Sequence, residues 1–293
     1  MSNKNDSESH LDLPTPSGIK AFFKERHLKP RKFLGQHFLV DKNILNKIIQ
    51  TAEVKPGERV LEIGAGIGTV TLALLREGAW VLAIEKDKEL VSFLDEATSP
   101  FSNIKIISGD FLQMDIHTLL NESYLWKVVS NPPYNIVSPL LFKLIQFKEK
   151  FSSIVLMLQR ELADRLIASV GCKDYSFLTI KVQYHLDVET IHKVSRRVFF
   201  PIPKVDSTLL RLKPLQKPRI KVSDEECFFK VADAIFKMRR KNLKNSLKIL
   251  QPPENFWEEC PFDLRRRGET LSLEEIGILS DTLIGSWKKK SGR

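Results

Sequence analysis

The order of apolar and polar residues predicts buried strands alternating with amphipathic helices up to about residue 170. Short apolar runs that end in polar or glycine-rich turns are typical of strands buried on both faces. The predicted strands are Arg59–Ile63, Trp80–Glu85, Ile104–Ile107, Lys127–Asn131 and Ile154–Gln159. The predicted helices cover residues 43–52, 69–77, 87–97, 138–147 and 160–170. This alternation predicts an α/β fold whose mostly parallel sheet is covered by helices on both faces.

Two longer apolar runs follow, Phe177–His185 and Val205–Leu212, and both are rich in residues that favour strands. They predict an antiparallel hairpin that completes one edge of the sheet. Helical periodicity then continues over residues 223–250 and 272–287. This second pattern predicts a small helical domain at the C-terminal end of the chain.

Proline and polar residues mark the predicted domain boundaries. Residues 1–17 are rich in serine, asparagine and acidic side chains, which predicts a disordered tail. Prolines at 214 and 218 mark a linker between the sheet and the last helices. We therefore expect an α/β domain at 18–213 and a helical domain at 219–288.

Composition and charge limit the kinds of partner and the cellular compartment that we expect. The net charge of +10 over 293 residues indicates a polyanionic partner, RNA or DNA before a membrane. Cys172, Cys227 and Cys260 lie far apart in sequence, so neither a disulfide framework nor a metal site is expected. No apolar run approaches the roughly 20 residues of a membrane span, and the polar N-terminus argues against a targeting peptide. These features predict a cytoplasmic protein in a reducing compartment, without a membrane partner.

A glycine-rich turn follows the first predicted strand of the sheet. Gly64, Gly66 and Gly68 allow sharp turning and close approach of a ligand to the backbone. A dinucleotide-binding loop has a third glycine where this chain has Thr69. The loop therefore indicates a nucleotide-type cofactor without the complete dinucleotide signature.

Carboxylates follow the next two predicted strands. Glu85 closes one strand and is placed to accept hydrogen bonds from a ribose diol, while Asp110 can accept one from an exocyclic amine. Carboxyl ends of parallel strands share one edge of a sheet, so these residues line one crevice. S-adenosylmethionine fits this set of groups, and a nicotinamide dinucleotide is the competing interpretation.

The segment Asn131-Pro132-Pro133-Tyr134 ends another predicted strand. Asn131 offers a side-chain acceptor and Pro132 a carbonyl acceptor, and Tyr134 offers a ring on which an extruded base can stack. Two acceptors on an adenine amine localise the nitrogen lone pair that is otherwise delocalised into the ring. This set predicts methyl transfer to a base nitrogen. Phe199 is a candidate wall on the other face of the base, with a hydrophobic loop packed on the sheet edge as the alternative.

Basic residues repeat along the predicted helix at 228–250, one position out of step with its apolar residues. A stripe of this kind is typical of phosphate binding, although a solvated basic face is the simpler alternative. The candidate RNA-binding residues are Lys237, Arg240, Lys241, Lys244 and Lys248.

Five ordered motifs resemble those of the ribosomal RNA adenine dimethyltransferases, in particular the small-subunit members of that family. The motifs are Lys32–Leu39, Glu62–Gly68, Asn131–Tyr134, Phe199–Ser207 and Arg239–Leu247, within a resemblance that spans about residues 29–285. The resemblance implies a Rossmann-like class I methyltransferase fold and S-adenosylmethionine as cofactor. It also implies dimethylation at N6 of two adjacent adenines in a hairpin near the 3′ end of small-subunit (16S-type) rRNA, within an assembling ribosomal subunit, by a monomer.

The resemblance also assigns roles to single residues. It implies cofactor contacts for two groups of residues, which are His37, Leu39, Gly64 and Gly66, and Glu85, Asp110 and Asn131. It places the target amine on Asn131, Pro132 and Tyr134, and the base against Phe199.

This chain departs from the family pattern at two positions. His37 stands where the family usually has asparagine, which makes that contact sensitive to pH. Pro132 stands where leucine or isoleucine is usual, and the Asn-Pro-Pro-Tyr form is more typical of adenine-N6 DNA methyltransferases. The flanking motifs nevertheless favour rRNA.

Three alternatives stay open at the level of sequence. One is a large-subunit rRNA methylase of the antibiotic-resistance type, which shares the catalytic core. Another is a ribosome-assembly factor whose binding matters more than its catalysis. The last is a DNA methylase, which activity on duplex DNA without activity on RNA would support.

Overall fold

The computed structural model describes residues 15–31, 34–120 and 123–291. The chain divides into two compact units. The first contains the described residues up to Ala163 together with Val188–Pro214, and the second contains Asp164–Asp187 together with the described residues from Leu215 onward. The predicted domains at 18–213 and 219–288 differ from these units at Asp164–Asp187, which the prediction assigned to the α/β domain.

The first unit is built on a central sheet of seven strands. Its spatial order is β4-β3-β2-β5-β6-β9-β7, and β1 pairs separately with β8 in an antiparallel ribbon. The strands are β1 Phe38–Leu39, β2 Arg59–Ile63, β3 Trp80–Glu85, β4 Ile104–Ser108, β5 Trp126–Ser130, β6 Phe151–Gln159, β7 Leu186–Val194, β8 Phe199–Phe200 and β9 Ser207–Pro214. Strands β2 to β6 are parallel and β9 runs antiparallel to β6, which confirms the mostly parallel sheet with antiparallel strands beyond it.

Helices follow most strands of the sheet and continue into the second unit. They are α1 Pro16–Glu25, α2 Lys42–Ala52, α3 Thr69–Arg76, α4 Lys88–Thr98, α5 Ile116–Leu119, α6 Val137–Gln146, α7 Arg160–Leu166, α8 Phe177–His185, α9 Glu225–Lys237, α10 Leu243–Leu247, α11 Glu254–Glu259 and α12 Leu273–Ser291. Among the described residues no helix is long and apolar enough to cross a membrane.

Apolar packing explains why the sheet is the core of the first unit. Val60, Val81 and Val129 lie on adjacent strands and are fully buried with residues of α2 and α3. At the N-terminal end, Phe22 and Phe23 of α1 pack in a second cluster with residues of β1 and α4. Burial of this apolar surface is the main favourable term for folding such a sheet.

The predicted disordered tail at 1–17 lies mostly outside the described residues. Its last residues are ordered in helical geometry, because Thr15 caps α1 by accepting a hydrogen bond from the Gly18 amide at 3.0 Å. A proline follows directly at the first position of the helix, where its missing N–H costs nothing. The tail prediction is therefore wrong for residues 15–17.

The predicted strand at Phe177–His185 is wrong, because this segment is helix α8. Ser176 caps it in a reciprocal arrangement with Thr179, whose hydroxyl accepts from the Ser176 amide at 2.9 Å. This capping box outweighs the strand propensity of the branched and aromatic residues that follow it. The edge strand lies one segment later, at β7.

The predicted long helix at 223–250 is interrupted between α9 and α10. Asn242 starts the new helix by accepting a hydrogen bond from the Asn245 amide at 3.0 Å. Within the second unit, Phe228 of α9, Phe256 of α11 and Leu279 of α12 are fully buried in one cluster. The second unit is therefore helical, as predicted, with more and shorter helices.

Candidate active site

A crevice opens at the carboxyl ends of β2, β3, β4 and β5. It encloses about 1020 Å³, counting the open solvent at its mouth. The predicted site residues that line it are His37, Leu39, Gly64, Gly66, Glu85, Asp110, Asn131, Pro132 and Tyr134. The structure therefore brings together both the predicted cofactor residues and the predicted base-binding residues, with the exception of Phe199.

The glycine loop after β2 uses its backbone N–H groups inside the protein. The amides of Gly64 and Ala65 donate to the Ile84 carbonyl at 2.8 and 3.2 Å, and the Gly68 amide donates to the Ala65 carbonyl at 3.0 Å. The Gly66 amide donates to the Glu85 carboxylate at 2.8 Å. These amides are therefore not aimed at a phosphate, in contrast to a dinucleotide-binding loop.

Gly64 also lies directly against the loop that follows β5. Its φ is +76°, and a Cβ at this position would lie 2.8 Å from the Pro133 Cδ atom. A side chain is excluded here on both counts, by backbone conformation and by space. The glycine thus permits the close approach of the loop after β2 and the loop after β5.

Glu85 ends β3 and is only 7% exposed. One carboxylate oxygen accepts from the Gly66 amide and the other from the Asp87 amide, each at 2.8 Å. Burial raises the pKa of this carboxyl, and the two amides oppose that effect. Each oxygen keeps a second lone pair, so the carboxylate is fixed in place and can still accept hydrogen bonds from a diol.

Asp110 follows β4 and begins the short turn at Phe111–Gln113. The Lys86 ammonium lies 2.9 Å from one oxygen, and the Leu112 amide donates to the other at 2.9 Å. The Lys86 contact is the main cause that lowers the pKa of Asp110. An adenine amine that binds here shares this carboxylate with Lys86.

These groups fit S-adenosylmethionine better than a dinucleotide. The crevice offers carboxylate acceptors for a ribose diol and an amine, and its negative charge suits a sulfonium cation. The amides of Gly64, Ala65, Gly66 and Gly68 are used inside the protein and are therefore not offered to a pyrophosphate. In the part of the chain that the structure describes, no cluster of side chains could hold a metal ion.

The loop after β5, which carries Asn131, is hydrogen-bonded to two neighbouring segments. Ser130 donates from its hydroxyl to the Ile63 carbonyl at 2.5 Å, and Asn131 donates from Nδ2 to the His37 carbonyl at 3.1 Å. This second bond orients the Asn131 amide so that Oδ1 remains as the acceptor. The geometry therefore presents one carbonyl-type oxygen from a fixed side chain.

Tyr134 and His37 form an aromatic wall beside Asn131. Their ring centroids lie 5.5 Å apart in a stacked arrangement. The Tyr134 hydroxyl is 2.7 Å from the Ser207 hydroxyl, and burial raises the pKa of the phenol. His37 Nδ1 lies 2.7 Å from the Pro201 carbonyl, which requires a proton on Nδ1 because a carbonyl can only accept.

Phe199 does not reach the crevice. It pairs with Leu39 in the β1–β8 ribbon, and it is 1% exposed within the core of the first unit. Contrary to the prediction, the ring has no face to offer a base in this structure, because its neighbours in the core cover it. Leu39, its partner, is buried as well but lines the crevice.

Sequence reasoning gave no role to two residues that shape the crevice. Glu62 lies on β2 and is 2% exposed. Burial raises its pKa to about 8, although a 2.6 Å hydrogen bond from the Thr71 hydroxyl acts to lower it. The sequence did carry a signal for Glu62, because an acidic residue inside an otherwise apolar strand is unusual. Lys143 of α6 gave no such signal, because an amphipathic helix carries many lysines.

The Lys143 ammonium holds the turn that follows Asp110. It donates to the backbone carbonyls of Phe111 at 2.8 Å, Leu112 at 3.1 Å and Met114. Burial lowers the pKa of this lysine, and Asp110 opposes that effect. Lys143 thus connects α6 to the turn that begins at Asp110.

The predicted RNA-binding residues all lie in the second unit and are exposed. They do not form one stripe on one helix, because the chain breaks between α9 and α10. Lys237 forms an ion pair with Asp233 at 2.6 Å. Among the described residues, Arg240, Lys241, Lys244 and Lys248 form no ion pair, so their charges are available to a polyanion.

Known proteins with similar sequence or structure agree on one family. The sequence profile of ribosomal RNA adenine dimethylases matches residues 27–259. Proteins named ribosomal RNA small subunit methyltransferase A are 40% identical in Bacillus cytotoxicus, over 93% of this chain and 98% of the relative, and 41% identical in Clostridium botulinum, over 90% and 98%.

Solved structures agree with these relatives. A dimethyladenosine transferase from Plasmodium falciparum is 28% identical with a TM-score of 0.69, and the match covers 87% of this chain and 98% of that one. The 23S rRNA methyltransferase ErmE is 26% identical with a TM-score of 0.63, and the match covers 84% and 99%. These matches confirm the class I methyltransferase fold, and the chain belongs to the ribosomal RNA adenine dimethylase family.

Proposed function

We propose that this protein transfers methyl groups from S-adenosylmethionine to N6 of two adjacent adenines in a hairpin near the 3′ end of small-subunit rRNA. The family accounts for the reaction type and the cofactor. The choice of the small subunit follows the relatives, whose names specify it and whose length this chain matches almost completely.

One observation supports the reaction most directly, which is the orientation of the Asn131 amide. Its Nδ2 is held by the His37 carbonyl at 3.1 Å, so Oδ1 is the atom available to an incoming amine. A side chain free to rotate would present donor and acceptor equally, whereas this one presents an acceptor. The target is therefore a group that donates hydrogen bonds.

An adenine amine matches this acceptor in chemistry. Its nitrogen is a poor nucleophile because the lone pair is delocalised into the ring. Asn131 Oδ1 and the Pro132 carbonyl can each accept a hydrogen bond from one of the two N–H groups of this amine. These two hydrogen bonds localise the lone pair on the nitrogen. The stacked rings of Tyr134 and His37 offer an apolar wall beside it.

The remaining residues of the crevice bind and orient the cofactor. Glu85 accepts from the ribose diol and Asp110 from the adenine amine, while the glycine loop leaves space for the rest of the molecule. When bound, S-adenosylmethionine supplies an electrophilic methyl group. The protein contributes mainly position and electrostatic stabilisation, since the proposed reaction needs no strong general base.

The exposed basic residues of the second unit supply affinity for the rRNA backbone. Such contacts orient the RNA without reading its sequence. We infer that the protein acts in the cytoplasm as a monomer, on an assembling ribosomal subunit. The net charge of +10 supports a polyanionic partner of this kind.

Tritium transfer from labelled S-adenosylmethionine to unmethylated small subunits tests this proposal, with mass mapping of the modified nucleotides. We expect two adjacent dimethyladenines near the 3′ end, and loss of transfer in Asn131→Ala with cofactor binding at least partly retained. Full transfer by that variant would refute the role of the amide. Modification of large-subunit rRNA, or of duplex DNA alone, would refute the substrate.

A further inference from the structure

A short segment, residues 201–206, joins β8 to β9 and is fixed to the rim of the crevice. Phe199 and Pro203 anchor it by burial at either end. Between them, the Pro201 carbonyl accepts a hydrogen bond from His37 Nδ1 at 2.7 Å. His37 is the residue whose ring stacks on Tyr134 and whose carbonyl holds Asn131. One hydrogen bond therefore joins this segment to the base-binding wall.

The same segment is fixed from its other side by Arg196. The Arg196 guanidinium donates to the Lys204 carbonyl at 2.9 Å, and its backbone amide donates to the Asp206 carboxylate at 3.0 Å. The Arg160 amide donates to the Asp206 carbonyl at 2.9 Å. The segment is thus constrained by bonds to three other parts of the first unit.

Ile202 lies at the centre of this constrained segment and is 61% exposed. A single exposed apolar residue is ordinary on a protein surface. Here, however, prolines flank the residue on both sides, and the preceding one is bonded directly to the wall of the crevice. The fold holds an apolar side chain in solvent, in a fixed place, beside the site where a base must enter.

The charges around Ile202 favour a nucleic acid as the occupant of this surface. Arg160, Arg196 and Lys204 are exposed and belong to this segment or bond to it, and Asp206 is the acidic group bonded among them. Exposed cations around an apolar centre suit a chain of phosphates with bases between them. A protein partner with a matching acidic surface is the competing occupant.

We propose that Ile202 is an apolar wedge that occupies the space left in the RNA base stack when the target adenine is extruded into the crevice. Extrusion leaves the neighbouring bases without a stacking partner, and an inserted apolar side chain replaces part of that contact. The surrounding cations bind the flanking phosphates. The wedge rests on the proposed function, since it requires an adenine that leaves its stack.

The test uses small subunits reconstituted with 2-aminopurine at the base next to the target adenines, so that each target keeps its N6 amine, because the fluorescence of 2-aminopurine rises when its stacked neighbour leaves. Ile202→Ala is compared with Ile202→Met, which keeps an apolar side chain of similar size. Leu125→Ala is the matched control, since Leu125 is 62% exposed in the same unit and lies just before the N-terminal end of β5. Affinity for S-adenosylhomocysteine is measured for every variant by calorimetry.

We expect Ile202→Ala to lower the extruded fraction about tenfold, equivalent to about 1.4 kcal/mol, with unchanged cofactor affinity. Ile202→Met and Leu125→Ala retain the fluorescence rise. A normal rise in Ile202→Ala, or an equal loss in Leu125→Ala, would overturn the wedge while the proposed function stands. Failure of the wild-type protein to raise fluorescence and transfer methyl groups would instead overturn the proposed function.

Discussion

Replacement of Glu62 by glutamine should stabilise the protein, and increasingly so as pH rises. The Glu62 carboxyl is 2% exposed, and burial raises its pKa from the usual 4.5 to about 8. The folded state therefore binds this proton more tightly than the unfolded chain does. The contribution of this carboxyl to the free energy of unfolding is fully present below pH 4.5, and it is lost progressively as pH rises to about 8.

The size of the effect follows from that pKa. Each pKa unit corresponds to about 1.36 kcal/mol, so ionisation of this buried carboxyl costs at most roughly 5 kcal/mol above pH 8. Glutamine is neutral at every pH, and its carbonyl can still accept the hydrogen bond that the Thr71 hydroxyl donates at 2.6 Å. We expect the Tm advantage of Glu62→Gln to grow on the order of 10 °C between pH 5 and pH 9.

Scanning calorimetry of the full chain at pH 5, 7 and 9 measures this advantage. The transition of the first unit is identified by its upward shift with S-adenosylhomocysteine. Glu58→Gln is the control: burial opposes ionisation of Glu58, but the hydrogen bonds and charges of Lys127 and Lys55 together outweigh it and lower the pKa. Its Tm difference should stay constant above pH 6. A constant difference for Glu62→Gln as well would refute the buried, protonated carboxyl.

Two further predictions concern the cofactor turn and the basic surface. Lys143→Met should weaken S-adenosylhomocysteine binding about tenfold. Combined with Asp110→Asn, its effect on the binding free energy should be less than additive, because both changes act on one turn. Fully additive effects, measured by calorimetry, would contradict this. Lys241→Gln combined with Lys244→Gln should weaken small-subunit binding and reduce its salt slope by about two, measured by filter binding. Lys230→Gln, whose lysine is paired with Glu226 at 2.6 Å, is the matched control.

The local order of apolar and polar residues was sufficient to predict the strands whose ends form the crevice. The bounds of β2 and β3 match their predicted residues, and the neighbouring strands differ by a few residues. Each of these strands is a short apolar run buried on both faces, so burial and local propensity favour the same structure. The same reasoning placed Gly64, Glu85 and Asp110 in one crevice, because parallel strands share an edge.

Prediction was wrong where a side-chain cap or a tertiary contact outweighs propensity. Helix α8 has the composition of a strand, and only the reciprocal bonds of Ser176 and Thr179 reveal its start. The break between α9 and α10 similarly depends on the Asn242 cap. Phe199 lies in a motif that implied base stacking, yet its pairing with Leu39 places the ring in the core.

Roles that depend on three-dimensional proximity had no signal in the sequence. Lys143 lies 29 to 32 residues from the carbonyls it binds, so no local motif connects them. The tie between His37 and Pro201 spans 164 residues. Only the fold brings these partners together at the crevice.

A crystal structure with S-adenosylmethionine bound would show directly whether the methyl group faces the Asn131 amide. We expect the ribose diol on Glu85 and the sulfonium methyl carbon facing Asn131 Oδ1, with room between them for a purine amine. A methyl group directed away from Asn131, or a crevice closed to a nucleobase at that point, would contradict this expectation.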